Sequence, residues 1–262
     1  MAILLPVIII GILGTLFGIG LAFAAKKFEV HADPRLEKIM GLLPGANCGA
    51  CGGAGCFGFA EMVLSGKISP DACKAASDTS KTEIASILGQ TISKKVKLIA
   101  TLHCNGGRRV GDKFFYDGQK NCAAANSILG GPKACAFGCI GLGSCVDVCP
   151  FQAITMSAGE LPVVDPKRCK ACNKCVLACP KKLFTLNAIN QPVFVGCASR
   201  DPGKDTKSVC PVGCIACKLC EKACKFDAIH VIDNLAVIDY QKCTSCRACI
   251  KACPVKVISL RE

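Results

Sequence analysis

The stretch Cys243-Thr-Ser-Cys246-Arg-Ala-Cys249-Ile-Lys-Ala-Cys253-Pro254 has the spacing C-x2-C-x2-C-x3-C-P. That run holds a cubane iron–sulfur cluster, and its fourth Cys ligates the other cluster of a two-cluster domain. It therefore predicts a partner run. Cys214-Ile-Ala-Cys217-Lys-Leu-Cys220-Glu-Lys-Ala-Cys224 has the same spacing, with Lys225 where proline is usual. Crossing the fourth ligands gives one cluster on Cys214, Cys217, Cys220 and Cys253. The other falls on Cys243, Cys246, Cys249 and Cys224. Paired C-x2-C also binds zinc, but a zinc site takes four ligands in two pairs, not two complete runs of four.

Working outward, the chain repeats itself from Lys133. Cys135, Cys139, Cys145 and Cys149 match Cys210, Cys214, Cys220 and Cys224 at an offset of 75. Cys169, Cys172, Cys175 and Cys179 match the quoted run at an offset of 74. This is a duplicated two-cluster ferredoxin module. Between the runs, Asp233-Asn234 flanked by short apolar segments reads as a hairpin turn, and Ala158-Gly159 holds the same place in the first copy. The first copy departs from the pattern, because Leu142 stands where the second has Cys217. Cys135 is the nearest substitute. The expected sets are Cys135, Cys139, Cys145 and Cys179 for one cluster, and Cys169, Cys172, Cys175 and Cys149 for the other.

Upstream, Cys48-Gly-Ala-Cys51-Gly-Gly-Ala-Gly-Cys56 is followed by Cys73. Four Cys in so small a unit can ligate one cluster. Gly49, Gly52, Gly53 and Gly55 let the backbone pass close to it and offer amide donors to its sulfurs. Asp33 is a candidate N-cap with Pro34 at N1, opening a helix whose Leu36, Ile39, Met40 and Leu43 fall on one face. A helix is expected to leave the site over 57–65. A further helix is expected over 81–98, with the basic patch at Lys94, Lys95 and Lys97 on its solvated face or in a linker. Ile99 to Leu102 reads as a strand entering His103-Cys104. Gly106-Gly107-Arg108-Arg109 lacks a Walker or Rossmann context. Neither His103 nor Cys122 receives a role from local spacing.

Leu4 to Ala25 carries no charge over 22 residues, about 33 Å of helix at 1.5 Å per residue, enough to cross a hydrocarbon core. Ala22-Phe23-Ala24 resembles a signal cleavage site. The absent basic n-region, the length of the apolar run and the thiol-rich remainder favour a retained anchor. Lys26 and Lys27 then place the rest of the chain on the cytoplasmic side. The expected fold is α+β: a single transmembrane helix followed by small iron–sulfur modules, two of them tandem two-cluster ferredoxin domains. The divisions are 1–25 anchor, 26–95 one-cluster domain, 96–132 connecting segment, 133–196 first ferredoxin module and 197–262 second.

Composition supports metal-built modules. Aromatic residues are 5% of the 262, Trp is absent, and 24 residues are Cys, so metal sites do the folding work of a large core. The C-x2-C-x2-C spacing leaves little room for disulfides within a run, and reduced cysteines belong on the cytoplasmic side of a membrane. The formal charge of +13 counts each Cys as neutral. A cubane with four thiolates carries about −2, so five clusters bring the sum to about +3 and six to about +1. The basic excess is thus no argument for nucleic acid, and no such motif accompanies it. Five 4Fe–4S clusters account for twenty Cys. Cys104, Cys122, Cys197 and Cys210 remain, enough for a sixth cluster or for buried free thiols; the count leaves both open. No acid–base or nucleophilic constellation is present.

The apolar helix, the Ala32-Asp-Pro-Arg-Leu-Glu-Lys-Ile39 segment, Leu42-Leu-Pro-Gly-Ala-Asn-Cys48-Gly-Ala-Cys51-Gly-Gly-Ala-Gly-Cys56 and the ferredoxin runs together resemble the B subunit of the Rnf complex family. The likeness covers the whole chain, and 43–56 is its most specific part. It implies a component of a membrane ferredoxin:NAD oxidoreductase that exports Na+ or H+. The implied role is a wire anchored by one helix, taking electrons from reduced ferredoxin or flavodoxin. The A, C, D, E and G subunits would be its partners. The expected direction puts exit at Cys48 to Cys73 and docking at the C-terminal module, where Lys218, Lys222, Lys225, Arg247 and Lys251 could steer an acidic partner or neutralise cluster charge. Two other classes compete: a polyferredoxin component of another membrane reductase, such as one serving a redox-sensing regulator, and a structural zinc protein.

Overall fold

The computed structural model describes residues 4–27, 33–91 and 96–261. Helix α1, Leu4–Lys27, is uncharged up to Ala25, and Ile10, Leu16, Ile19, Leu21 and Phe23 are exposed along it. A helix without a polar face, with its apolar side chains outward, suits lipid rather than water. It is the one described helix long and apolar enough to cross a membrane.

The N-terminal unit is helical. Asp33 caps α2, Pro34–Leu42, by accepting from the Arg35 amide at 2.9 Å. Helix α3, Gly55–Leu64, starts two residues before its expected position, and α4, Asp78–Ile87, is capped by Ser77. Ile39, Phe59, Val63 and Ile84 are their buried contacts. The expected helix over 81–98 ends by Ile87, and Lys94 and Lys95 of the basic patch lie outside the described residues.

The rest is two copies of one plan. The first runs β1 (Leu98–Leu102), α5 (Cys122–Ser127), α6 (Ser144–Asp147), β2 (Ile154–Met156), β3 (Pro162–Val164), α7 (Lys174–Ala178) and β4 (Phe184–Ala188). The second runs β5 (Val193–Val195), α8 (Gly203–Val209), α9 (Leu219–Lys222), β6 (Ile229–Ile232), β7 (Leu235–Ile238), α10 (Ala248–Ala252) and β8 (Ile258–Leu260). In each copy the first strand pairs antiparallel with the last, Leu98 opposite Ala188 and Val193 opposite Leu260. In each, the middle two form a hairpin between the Cys runs. Asp233 and Asn234 both have positive φ, +46° and +61°, the geometry of a two-residue turn that matches strand twist.

These pairings correct two expectations. Residues 96–132 are no mere connection, because they supply β1 to the first module's sheet. The second module starts before residue 197, because β5 belongs to its sheet. A strand whose partner lies more than sixty residues on leaves no local signal of where its module begins.

The copies are bolted together through these terminal sheets. His103, at the end of β1, bonds the Val195 carbonyl at 2.8 Å and the Thr185 hydroxyl at 2.7 Å. The Asn105 amide donates to the Gly196 carbonyl at 2.9 Å. Arg261 reaches back to the Thr101 hydroxyl at 2.6 Å and the Ala188 carbonyl at 2.7 Å. Burial lowers the His103 pKa. The neutral ring donates from Nδ1, since the Val195 carbonyl offers only an acceptor.

Candidate iron–sulfur sites

The short helix in each Cys run starts from a residue in the left-handed region: Gly143 for α6, Asn173 for α7, Lys218 for α9 and Arg247 for α10. That reversal turns successive cysteines inward on a common space. The helix then carries the last Cys of its run to the neighbouring site, so Cys220 and Cys224 lie at opposite ends of α9.

Five cavities are ringed by four cysteines each, with volumes of about 300 to 390 Å³ counting space open to solvent. Two belong to the second module: Cys214, Cys217, Cys220 and Cys253 around one, and Cys224, Cys243, Cys246 and Cys249 around the other. A third gathers Cys149, Cys169, Cys172 and Cys175. These are the crossed sets that the spacing implies.

The remaining two differ from the expectation. Cys139, Cys145 and Cys179 share their cavity with Cys122, not with Cys135. Cys122 starts α5, and its amide donates to the Ser144 hydroxyl at 2.8 Å, which sets it against the start of α6. Cys135 instead packs with Val110 and Cys210 and rings the fifth cavity with Cys104, Cys197 and Cys210. Local spacing made Cys135 the nearest substitute for the Cys absent at Leu142; the chain reaches back to Cys122. So Cys104, Cys197 and Cys210 are not scattered thiols, and Cys122 is not one of their group.

The fifth cavity is nearly symmetric between the copies. Cys104 and Cys197 each follow the first strand of a module, and Cys135 and Cys210 each precede a Gly whose amide donates back to the Cys carbonyl. The Cys139 amide donates to the Cys104 sulfur at 3.4 Å, and the Cys214 amide to the Cys197 sulfur at 3.4 Å. Cys139 and Cys214 are themselves members of the two flanking sites.

The N-terminal cysteines also converge: buried Cys73 packs with Cys48, Cys51 and Cys56. Asn47 Oδ1 accepts from the Cys56 amide at 2.8 Å. Glycine is required at Gly53, where a Cβ would lie 2.7 Å from the Phe59 nitrogen, and is favoured at Gly52, with φ +86°.

The six groups follow one another through the molecule. Phe151 packs against both the N-terminal core and the first module's core, and Cys172 lies within electrostatic reach of Cys48. Cys175 is similarly placed to Cys145, Cys139 to Cys104, and Cys197 to Cys214. The order is thus Cys48–Cys73, the Cys149 set, the Cys122 set, the bridging Cys104 set, the Cys214 set and the Cys224 set.

The donor chemistry fits iron–sulfur clusters. Four sulfurs around a space of several hundred cubic ångström suit a multi-atom inorganic core. Among the described residues, no three His, Cys, Asp or Glu converge as the ligands of one metal ion would. Amides aim at the sulfurs in a repeated way: Ala153 to Cys149 at 3.3 Å, Leu183 to Cys179 at 3.4 Å and Ala228 to Cys224 at 3.3 Å. Such bonds tune cluster potential. Burial pushes the thiols of Cys139, Cys145 and Cys175 up to about 12 and that of Cys220 to about 11. Without metal these four thiols stay protonated near pH 7, and ligation must displace their protons.

Fold and sites together define a membrane-associated polyferredoxin, a chain of 4Fe–4S modules built for electron transfer. Residues 43–75 match a family described as a putative Fe-S cluster, and residues 138–183 and 213–257 each match the 4Fe-4S dicluster domain. The chain is 45% identical over 98% of its length to the B subunit of the Na(+)-translocating ferredoxin:NAD(+) oxidoreductase complex of Acetobacterium woodii, covering 78% of that protein. It is 39% identical over 95% of its length to the B subunit of the ion-translocating oxidoreductase complex of Methanosarcina acetivorans, covering 95% of it. It is 36% identical over 92% of its length to the B subunit of the proton-translocating ferredoxin:NAD(+) oxidoreductase complex of Clostridium ljungdahlii, covering 86% of it. The chain belongs to the B-subunit family of Rnf-type ion-translocating oxidoreductase complexes. It is an electron-transfer component of a multi-subunit oxidoreductase.

Proposed function

We propose that the chain takes electrons from reduced ferredoxin, or from flavodoxin in its place, and delivers them to the membrane redox subunits of its complex. It does so through six 4Fe–4S clusters, and the partners are the A, C, D, E and G subunits. A 4Fe–4S cluster supplies a one-electron store whose potential the protein sets over a wide range. The chain's own residues do the rest. The six Cys quartets given above hold the clusters, with Cys122 serving the first module in place of a Cys at Leu142. Backbone amides hydrogen-bond the ligand sulfurs, the apolar walls exclude water, and His103, Asn105 and Arg261 fix one module against the other. Helix α1 anchors the chain as a single span, and Lys26 and Lys27 at its end favour the cytoplasmic side for the iron–sulfur modules.

The observation that carries this reading is the bridging quartet of Cys104, Cys135, Cys197 and Cys210. Without it the line of sites breaks between the modules; with it, each site neighbours the next. A direct test mixes the anaerobically purified, oxidised chain with reduced ferredoxin and follows the bleaching of its visible absorbance. The reading expects rapid uptake of several electrons per chain. Failure of ferredoxin to reduce a chain that dithionite does reduce would remove ferredoxin as the donor.

A further inference from the structure

The duplication supplies an internal control for what is peculiar to the far end of the line. Of the 24 cysteines, only Cys217 and Cys246 are exposed. Cys246 belongs to the terminal quartet, Cys224, Cys243, Cys246 and Cys249, and its first-copy counterpart Cys172 is only half-exposed. Two further departures fall on the same quartet. Three of the four runs end in Cys-Pro, at Pro150, Pro180 and Pro254, but Cys224 is followed by the exposed Lys225. The left-handed residue that opens the short helix is Gly143 or Asn173 in the first copy and Lys218, with φ +59°, at the second copy's Cys214 site. At the terminal site it is Arg247, with φ +68°. Glycine and asparagine enter that region cheaply, whereas a long side chain there is strained. Strain kept at one copy and avoided in the other points to a role for the side chain.

Neutralising cluster charge does not account for the placement. The first copy's matching site carries Lys170 and Lys174 half-buried, without loading the strained position. Nor are the cations consumed locally. Among the described residues, Lys218, Lys222, Lys225, Arg247 and Lys251 form no ion pair, while nearby Asp227 is taken by Lys242 and His230, and Glu221 faces His230. Phe226, 46% exposed, lines the same cavity as Arg247 and offers an apolar centre within the basic rim.

We propose that the surface around Cys246, formed by Arg247, Lys225, Lys251 and Phe226, is the docking face for a small acidic one-electron carrier protein. The inference rests on the electron-relay reading above and adds where the carrier binds. Charge around an exposed ligand sulfur steers the carrier and raises its association rate, most strongly at low salt.

The test uses the full, cluster-loaded chain and an acidic two-cluster ferredoxin. Arg247→Asn with Lys225→Pro gives the terminal site the residues its own repeats use. Lys204→Gln with Lys207→Gln on exposed α8 removes the same charge elsewhere. The docking face predicts about a tenfold slower second-order reduction at low ionic strength for the first pair, a shallower salt dependence and about tenfold weaker binding of oxidised ferredoxin. The α8 pair should stay within about twofold of the parent, and iron content and reduction by dithionite should hold in both. Equal rates for parent and first pair, or equal losses for both pairs, would overturn the docking face while leaving the relay intact. A parent chain that dithionite reduces and ferredoxin does not would overturn the relay instead. Should the double variant lose iron, Arg247→Asn is compared with Arg247→Lys: slowing by Asn but not Lys supports the face, and identical behaviour overturns it.

Discussion

The two ferredoxin modules share one plan but complete their sites differently. The second holds its eight cluster cysteines within its two runs. The first has Leu142 in place of one, and Cys122, twenty residues upstream, lines that cavity instead. The segment that carries Cys122 is an insertion: Cys104 to Cys135 spans 31 residues, where Cys197 to Cys210 spans 13. The insertion is held down by charge. Lys133 is nearly buried and pairs with Asp112 and Glu160, both at 3.1 Å, while Arg108 pairs with Glu160 at 3.0 Å. Glu160 sits in a hairpin turn of five residues, where the second module turns in two. The comparison teaches that a site in this fold is defined by the space the cysteines face, not by the run that supplies them.

The largest effect should be common to both modules. Their cores are small and partly made of cysteine, so stripping iron should abolish the cooperative unfolding transition followed by circular dichroism. A stably folded apo-protein would show that side-chain packing, not metal, holds the modules.

Next comes the exchange of ligands. Cys122→Ala should lose iron at one site in the first module, as Cys217→Ala should in the second. Adding Leu142→Cys should restore iron to Cys122→Ala, because it returns the ligand to the second module's pattern. The same rescue should fail for Cys135→Ala, whose cysteine serves the bridging site. Rescue of Cys135→Ala and not of Cys122→Ala, read by iron and sulfide analysis, would reverse the assignment.

A smaller effect should separate the modules' stabilities. Lys133→Met leaves Asp112 and Glu160 without their shared partner. Since both carboxylates remain half-exposed, the loss should be about 2 kcal/mol, below that of a fully buried pair. Ser208 holds the matching position in the second copy, and Ser208→Ala should change stability by less than about 0.5 kcal/mol. Equal effects in denaturant titration would mean that the network does not anchor the insertion.

The smallest concerns the turns. Asn234→Ala puts alanine, which tolerates the left-handed region less well than asparagine, at φ +61° and removes a bond to the Arg200 carbonyl. It should cost about 1 kcal/mol, read from the same titration.

Much of this was legible in the sequence. The Cys spacing pointed to the two groups of four that line the second module's cavities, the uncharged run marked α1, and Asp233-Asn234 marked a hairpin. The membership of Cys104, Cys122 and Cys135 was not. Their partners lie on distant segments, and the insertion shifts the repeat offset from 75 to 93 between Cys104 and Cys197, so a search at fixed offset misses the match. One signal was available, since Cys104 and Cys197 both follow short apolar strands. The pairing of β1 with β4 was hidden for the same reason: five residues carry no record of a partner so far along the chain.

The central claim is that all 24 cysteines serve six clusters in an unbroken line. Iron and acid-labile sulfide per chain, measured with zinc on anaerobically purified protein, tests it most directly. The account predicts about 24 irons and as many sulfides, at four of each per cubane. About twenty irons would remove the bridging cluster and leave a gap between the modules, and zinc with little sulfide would contradict the electron relay itself.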